Sequence, residues 1–155
     1  MDLEPASGRA RDRVRQVVNW LNLSTLSGLL VATIGRARLS PGPRHTILAT
    51  DLRLPLRAGA LTIGDVVMTR KSLDRMLERP ALVRHELRHT VQFAWCLGIV
   101  MLALYAVAAA GSWVLTGDPA SRNVFERLAG LEDGSYRERP IRPMLTRRGG
   151  GGRRR

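Results

Sequence analysis

Two histidines four residues apart, with a glutamate beside the first, constrain this chain more than any other feature: His85-Glu86-Leu87-Arg88-His89. On an α-helix, positions i and i+4 lie one above the other on one face, so both imidazoles reach a single ion. Glu86, one position round, takes a proton from a water at that ion without ligating the ion itself. The chain has three histidines and spends two of them on this spacing. Two imidazoles alone hold Zn²⁺ weakly, and a hydrolytic zinc site presents three protein ligands. The fold must therefore return a third donor to this helix, although the next stretch, 97–115, runs for nineteen residues without a charge.

The flanks support a helix over 80–97, with Pro80 suited to its first turn and Gly98 to its stop. Leu82, Val83, Leu87, Val91, Ala94 and Trp95 follow helical spacing and predict one apolar face. His85, His89, Gln92 and Cys96 line another face. Cys96 lies roughly 10 Å beyond His89, too far to share its metal, and reads as a small hydrophobe. A histidine six residues after the second one would complete one type of zinc site, but that position is Trp95. The other solution is a carboxylate on a later helix. The stretch 118–131 predicts such a helix, with Asp118 as N-cap, Pro119 in its first turn, and an apolar stripe of Val124, Phe125, Leu128 and Leu131. Glu126 has Ala129 and Gly130 at i+3 and i+4, a face small enough to approach another helix closely. Glu132, Asp133, Asp118 and His45 are less well placed. Gln92 and Asn123 are candidates to orient a ligand through a hydrogen bond.

HELRHTVQFAWCLG followed by SRNVFERLAG resembles the gluzincin arrangement, HExxH with a downstream Glu. More closely, it is similar to small bacterial zinc-peptidase-like proteins of unknown function. In these an HExxHxxQ helix, a short apolar segment and an N-x-F-E-x-x-A helix follow one another. The resemblance covers roughly residues 19 to 136. It implies zinc ligation by His85, His89 and Glu126, Glu86 as general base, and a peptide or protein as substrate. Two features depart from the pattern. No His or Tyr follows the ligand helix at a recognisable spacing to stabilise an oxyanion, and Arg88 places a charge inside the motif.

The rest of the chain suggests an α+β, mostly helical domain over 9–136, with a zincin-like helix core, a small antiparallel sheet and disordered basic ends at 1–8 and 137–155. Helices are expected over 8–22, amphipathic with Val14, Val17, Val18 and Leu21 on one face, and over 24–36. After the break at Pro41, Gly42 and Pro43, segments 46–49 and 60–69 read as two antiparallel strands whose edge suits an extended peptide. Ser72 is expected to cap a short helix through Glu78. A single cysteine excludes an internal disulfide and fits a reducing compartment. The polar interruptions in 17–34 do not suit a signal peptide.

A formal net charge of +12 favours anionic partners, an anionic membrane surface among them. No zinc finger, helix-turn-helix spacing or aromatic-interleaved basic sheet supports a nucleic-acid role. Stretch 97–115 is long enough to cross a bilayer, and a straight crossing would put His89 and Glu126 on opposite sides of roughly 30 Å of hydrocarbon. The zinc reading needs that stretch to be buried, to lie at the membrane surface, or to enter and return. The expected location is the cytoplasmic side of a membrane, with the soluble cytoplasm as alternative. The rival reading is a non-enzymatic protein with a single span over 97–115 and an accidental or structural HExxH.

Overall fold

The computed structural model describes residues 6–55 and 58–142. Among these the chain forms α1 (Ala6–Leu21), α2 (Ser24–Ile34), β1 (Arg38–Pro41) and β2 (Ile47–Thr50). It continues through β3 (Leu61–Ile63), β4 (Val66–Met68), α3 (Leu73–Leu77), α4 (Pro80–Trp95), α5 (Val100–Thr116) and α6 (Val124–Ala129). The class is α+β, mostly helical.

The sheet differs from the expected antiparallel pair. It has four strands in the order β1-β2-β4-β3 and is mixed. Segment 60–69 is a tight hairpin rather than one strand. Ile63 faces Val66 across the two-residue turn Gly64-Asp65, a pair that favours such turns. The hairpin sends β4 back parallel to β2, with Ile47 opposite Val66 and Ala49 opposite Met68. β1, antiparallel to β2, was not expected, because its largely exposed residues and terminal Pro41 carry no apolar alternation. The sheet separates two apolar clusters. Leu48 and Val67 point to one, with Ala60, Met76, Leu82 and Val83. Ala49, Val66 and Met68 point to the other, with Ala32, Phe93 and Met101. Because α4 contributes to both clusters, it runs past the β3 edge and bridges them.

Pro80 opens α4 as expected. The chain then reverses through Leu97 and Gly98, both at positive φ, and the Gly98 N–H donates to the Phe93 carbonyl. A Cβ at Gly98 would press into Asn22 at 2.7 Å, so this turn closes directly on the break between α1 and α2. α4 and α5 consequently meet at 118°. No single helix among the described residues is long and apolar enough to cross a membrane. α5 takes up most of the uncharged stretch 97–115 and is not a buried core helix: within it only Met101, Ser112 and Thr116 are buried.

α1 turns its expected apolar face outward, and α4 keeps only part of its own inward. In α1, Val14, Val17 and Leu21 are exposed, while Arg15 and Asn19 are buried. In α4, Leu82 and Val83 are buried, but Val91 and Trp95 are exposed and His85, Glu86, His89 and Thr90 face inward. The cause is a polar network. Arg15 lies 3.3 Å from Asp65 and donates to Thr90 Oγ1 and the Arg44 carbonyl. Asn19 donates to Asp65 and to the Thr90 carbonyl, and Thr25 donates to the same carboxylate. Buried polar groups must be partnered, and here the partners come from α1, α2, the hairpin turn and α4.

Residues 6–8 belong to α1 rather than to a disordered end. At the other end, Arg139 pairs with Asp118 and Glu138 with Arg122, so 137–142 packs on the domain. The remainder of both basic ends, 1–5 and 143–155, lies outside the described residues. α3 starts after Ser72 as expected, although the Ser72 side chain makes no capping bond.

The Arg15–Asp65 pair gives the first prediction. Arg15→Met removes the cation and leaves a buried carboxylate, so urea unfolding should show a loss of about 3–5 kcal/mol. An unchanged midpoint would mean that the network does not hold α1 in place.

Candidate metal centre

α4 presents His85 and His89 inward, one turn apart, because Leu82, Val83 and Phe93 on the same side anchor it to the two apolar clusters. α6 brings the third group. Its start differs from expectation: Asp118 accepts from the Ala120 and Ser121 N–H groups in a separate turn, and the helix begins at Val124 with Asn123 as N-cap. Asn123 Oδ1 accepts from the Phe125 N–H at 3.0 Å. Asn123, expected to orient a ligand through a hydrogen bond, instead sets the start of α6, the helix that carries Glu126.

Glu126 Oε2 lies 3.1 Å from His85 Nε2 and 3.8 Å from His89 Nε2, and the two Nε2 atoms are 3.1 Å apart. Tetrahedral zinc ligands at about 2.0–2.2 Å stand roughly 3.3–3.5 Å from one another, close to these separations. The three residues are buried, and they form the one group of His, Cys, Asp and Glu with such spacing among the described residues. Glu132, Asp133, Asp118 and His45 stand outside it.

The outer hydrogen bonds determine which nitrogens are free. His85 Nδ1 lies 2.9 Å from the Gly130 carbonyl, which only accepts, so Nδ1 is the donor. His89 Nδ1 lies 2.8 Å from Gln92 Oε1. Gln92 Nε2 donates to the Phe125 carbonyl, which fixes the amide orientation and makes His89 Nδ1 a donor as well. In the neutral imidazoles both Nε2 atoms are then lone-pair acceptors. They face Glu126 Oε2, itself buried and without a hydrogen-bond partner. Three acceptors pointing at one another in a buried space have the spacing to hold a metal ion.

Tyr105 on α5 donates to Glu126 Oε1 at 2.5 Å. Burial would push Glu126 up, but His85 and His89, which donate to it only when Nε2 carries a proton in place of a metal, together with Tyr105 outweigh burial and hold its pKa down at about 2. Burial lowers the His85 pKa, while Glu126 and Glu86 raise it further, so the balance is upward. Glu86 stays outside the cluster. Its Oε2 accepts from Thr62 Oγ1 on β3 at 2.6 Å. Burial raises its pKa, against His89, Thr62 and His85.

Arg88 turns outward and pins the loop after α6, donating to the Ala129 carbonyl and to Asp133 Oδ2 at 2.7 Å. That loop packs Gly134 on His85: a Cβ there would stand 2.6 Å from the His85 ring. It also brings Tyr136 to 5.9 Å from that ring, between centroids. A pocket opens at the cluster, with Glu86 and Tyr136 on its wall and Ala60, Leu61, Met101 and Leu102 on its apolar side. No His or Tyr follows the ligand helix at a spacing recognisable in sequence as an oxyanion stabiliser. Yet the chain has two tyrosines, and both line this pocket. The signal was Tyr105 alone in an apolar stretch, since a phenol in such a helix needs a polar partner.

Comparison with protein-family models, with curated proteins and with solved structures finds no match to this chain.

The depressed Glu126 pKa has a direction that can be tested. In chelator-treated protein, Glu126 contributes stability that is present above its usual value of 4.5 and lost as the pH falls towards about 2. Urea unfolding across that range should slope accordingly, and Glu126→Gln should flatten it. Separately, Gly134→Ala should displace His85, so that any zinc the cluster takes up binds at least roughly tenfold more weakly, read by competition with a chromogenic chelator.

Proposed function

We propose that this chain is a zinc-dependent metallopeptidase that hydrolyses peptide bonds, with His85, His89 and Glu126 as ligands and Glu86 as general base. The observation that carries the reading is the meeting of two imidazoles of fixed tautomer with a buried Glu126 oxygen that has no partner of its own. Zinc at this position supplies Lewis acidity to a scissile carbonyl and makes a water acidic near neutral pH.

The other steps belong to the protein's own groups. Thr62 holds one oxygen of Glu86 and leaves the other to take the proton of the attacking water and deliver it to the leaving amine. The raised Glu86 pKa suits both halves of that transfer. Tyr105 restrains Glu126 and leaves one of its oxygens for the ion. Burial and the charges of Glu126 and Glu86 raise the Tyr136 pKa, so its phenol stays protonated and donates to the carbonyl oxygen as negative charge develops there. β3 is the sheet edge beside the pocket, and an extended peptide aligns along it with an apolar side chain against Leu61, Met101 and Leu102.

The test combines metal content with turnover. Purified protein should carry one zinc per chain by elemental analysis, and His85→Ala/His89→Ala should carry none. Glu86→Gln should keep the metal and lose about 10²–10⁴-fold in kcat on a peptide library. Wild-type protein that holds zinc but cleaves nothing would reduce the reading to a structural zinc module. Protein without zinc would leave the HExxH accidental.

A second residue is open to the same assay. Tyr136→Phe should lower kcat by about 10–10²-fold with little change in KM or zinc content. A change confined to KM would place Tyr136 in substrate binding alone.

A further inference from the structure

The membrane expectation for 97–115 named a stretch of chain but no surface, and the structure assigns one that goes beyond the proposed catalysis. We propose that the two helix breaks, between α1 and α2 and between α4 and α5, form a single insertion edge for an anionic phospholipid bilayer.

The breaks are far apart in sequence and adjacent in space. Asn22, in the first, folds over Gly98, in the second, and its side-chain amide donates to the Phe93 carbonyl at 3.4 Å. Around this junction Leu21, Leu23, Trp95, Leu97 and Ile99 are 77, 59, 83, 73 and 60 % exposed. A soluble helix hides such residues, and a contiguous apolar surface of this kind marks an interaction site. Each break sits within a long uncharged window, 16–35 and 90–117, free of Asp, Glu, Lys and Arg. Both bent helix pairs have the length and hydropathy of a membrane segment when taken together, at bends of 72° and 118°. Both helices bury polar groups, Arg15 and Asn19 in α1 and His89 and Thr90 in α4, while their exposed arginines, Arg9, Arg11 and Arg13 in α1 and Arg84 and Arg88 in α4, stand earlier in each helix than the break.

Charge identifies the surface of the bilayer. Outside the uncharged windows stand Arg11 and Arg13 on one side and Arg36 and Arg38 on the other, all exposed. A groove between α1 and α4 continues from Trp95, with Val14, Val18 and Val91 along it. At its polar end stands the exposed Arg11, beside Arg44, which pairs with Asp12, and Arg15, which is buried against Asp65. An apolar edge bordered by cations matches acyl chains beneath anionic headgroups.

The test is flotation of the full chain with vesicles of phosphatidylcholine and phosphatidylglycerol in equal parts, and of phosphatidylcholine alone. Binding should favour the anionic vesicles at least about tenfold and weaken with salt. The variant Leu21→Glu/Trp95→Glu/Leu97→Glu should lose binding at least roughly a hundredfold with its circular dichroism unchanged. In variants retaining one tryptophan, lipids brominated in their acyl chains should quench Trp95 and spare Trp113, which lies at the far end of α5 under Arg142. Any one of four results overturns the proposal. They are no flotation with anionic vesicles, flotation indifferent to the triple variant, quenching of Trp113 instead of Trp95, or edge-dependent self-association in place of lipid binding. Zinc content of the same samples is an independent readout, so failure here and failure of the peptidase reading are distinguishable.

Discussion

Three lone-pair acceptors brought together in a buried cluster form the arrangement on which the rest of the structure depends. His85 Nε2, His89 Nε2 and Glu126 Oε2 repel one another unless a positive charge lies among them. Holding them there takes several elements at once. α4 must bridge both apolar clusters, α5 must reverse, and α6 must return Glu126 to a helix thirty-seven to forty-one residues earlier. The outer hydrogen bonds from the Gly130 carbonyl and Gln92 then remove the one remaining freedom, the choice of tautomer.

The burial of that cluster, together with the Arg15–Asp65 network, explains the unusual surface. A helix has a limited perimeter, and a side that carries polar groups inward cannot also carry its leucines and valines inward. α1 and α4 therefore expose Val14, Val17, Leu21, Val91 and Trp95. The interior is more polar than the composition suggests, and the exterior is more apolar. The two are one consequence, not separate features.

Arg88 shows how a charge inside the motif is accommodated. It sits on the outward face of α4, one position from His89, and reaches across to the Ala129 carbonyl and Asp133. It ties the end of α6 and the following loop to the helix that bears the histidines. That loop in turn carries Gly130, Gly134 and Tyr136 to the site. A residue that interrupts the motif pattern in sequence thus acts on the geometry of the site from outside it.

The α+β class, the helix from Pro80, and the placing of His85, His89 and Glu126 on facing helices were legible in the sequence, because these follow from local rules. Spacing of four residues sets a helix face, and proline, glycine and small residues mark where helices start, stop and approach. The hairpin at Gly64-Asp65 was also written there, although it was read as one strand. What the tertiary structure alone decided was orientation. Period 3.6 shows that α1 and α4 each have an apolar and a polar face, but not which one faces in. That choice was made by Asp65 and Glu126, whose partners lie dozens of residues away. The parallel pairing of β2 with β4, the return of Tyr136 to His85 and the junction of Asn22 with Gly98 are of the same kind. Each is a contact between distant segments, and no local pattern encodes the partner.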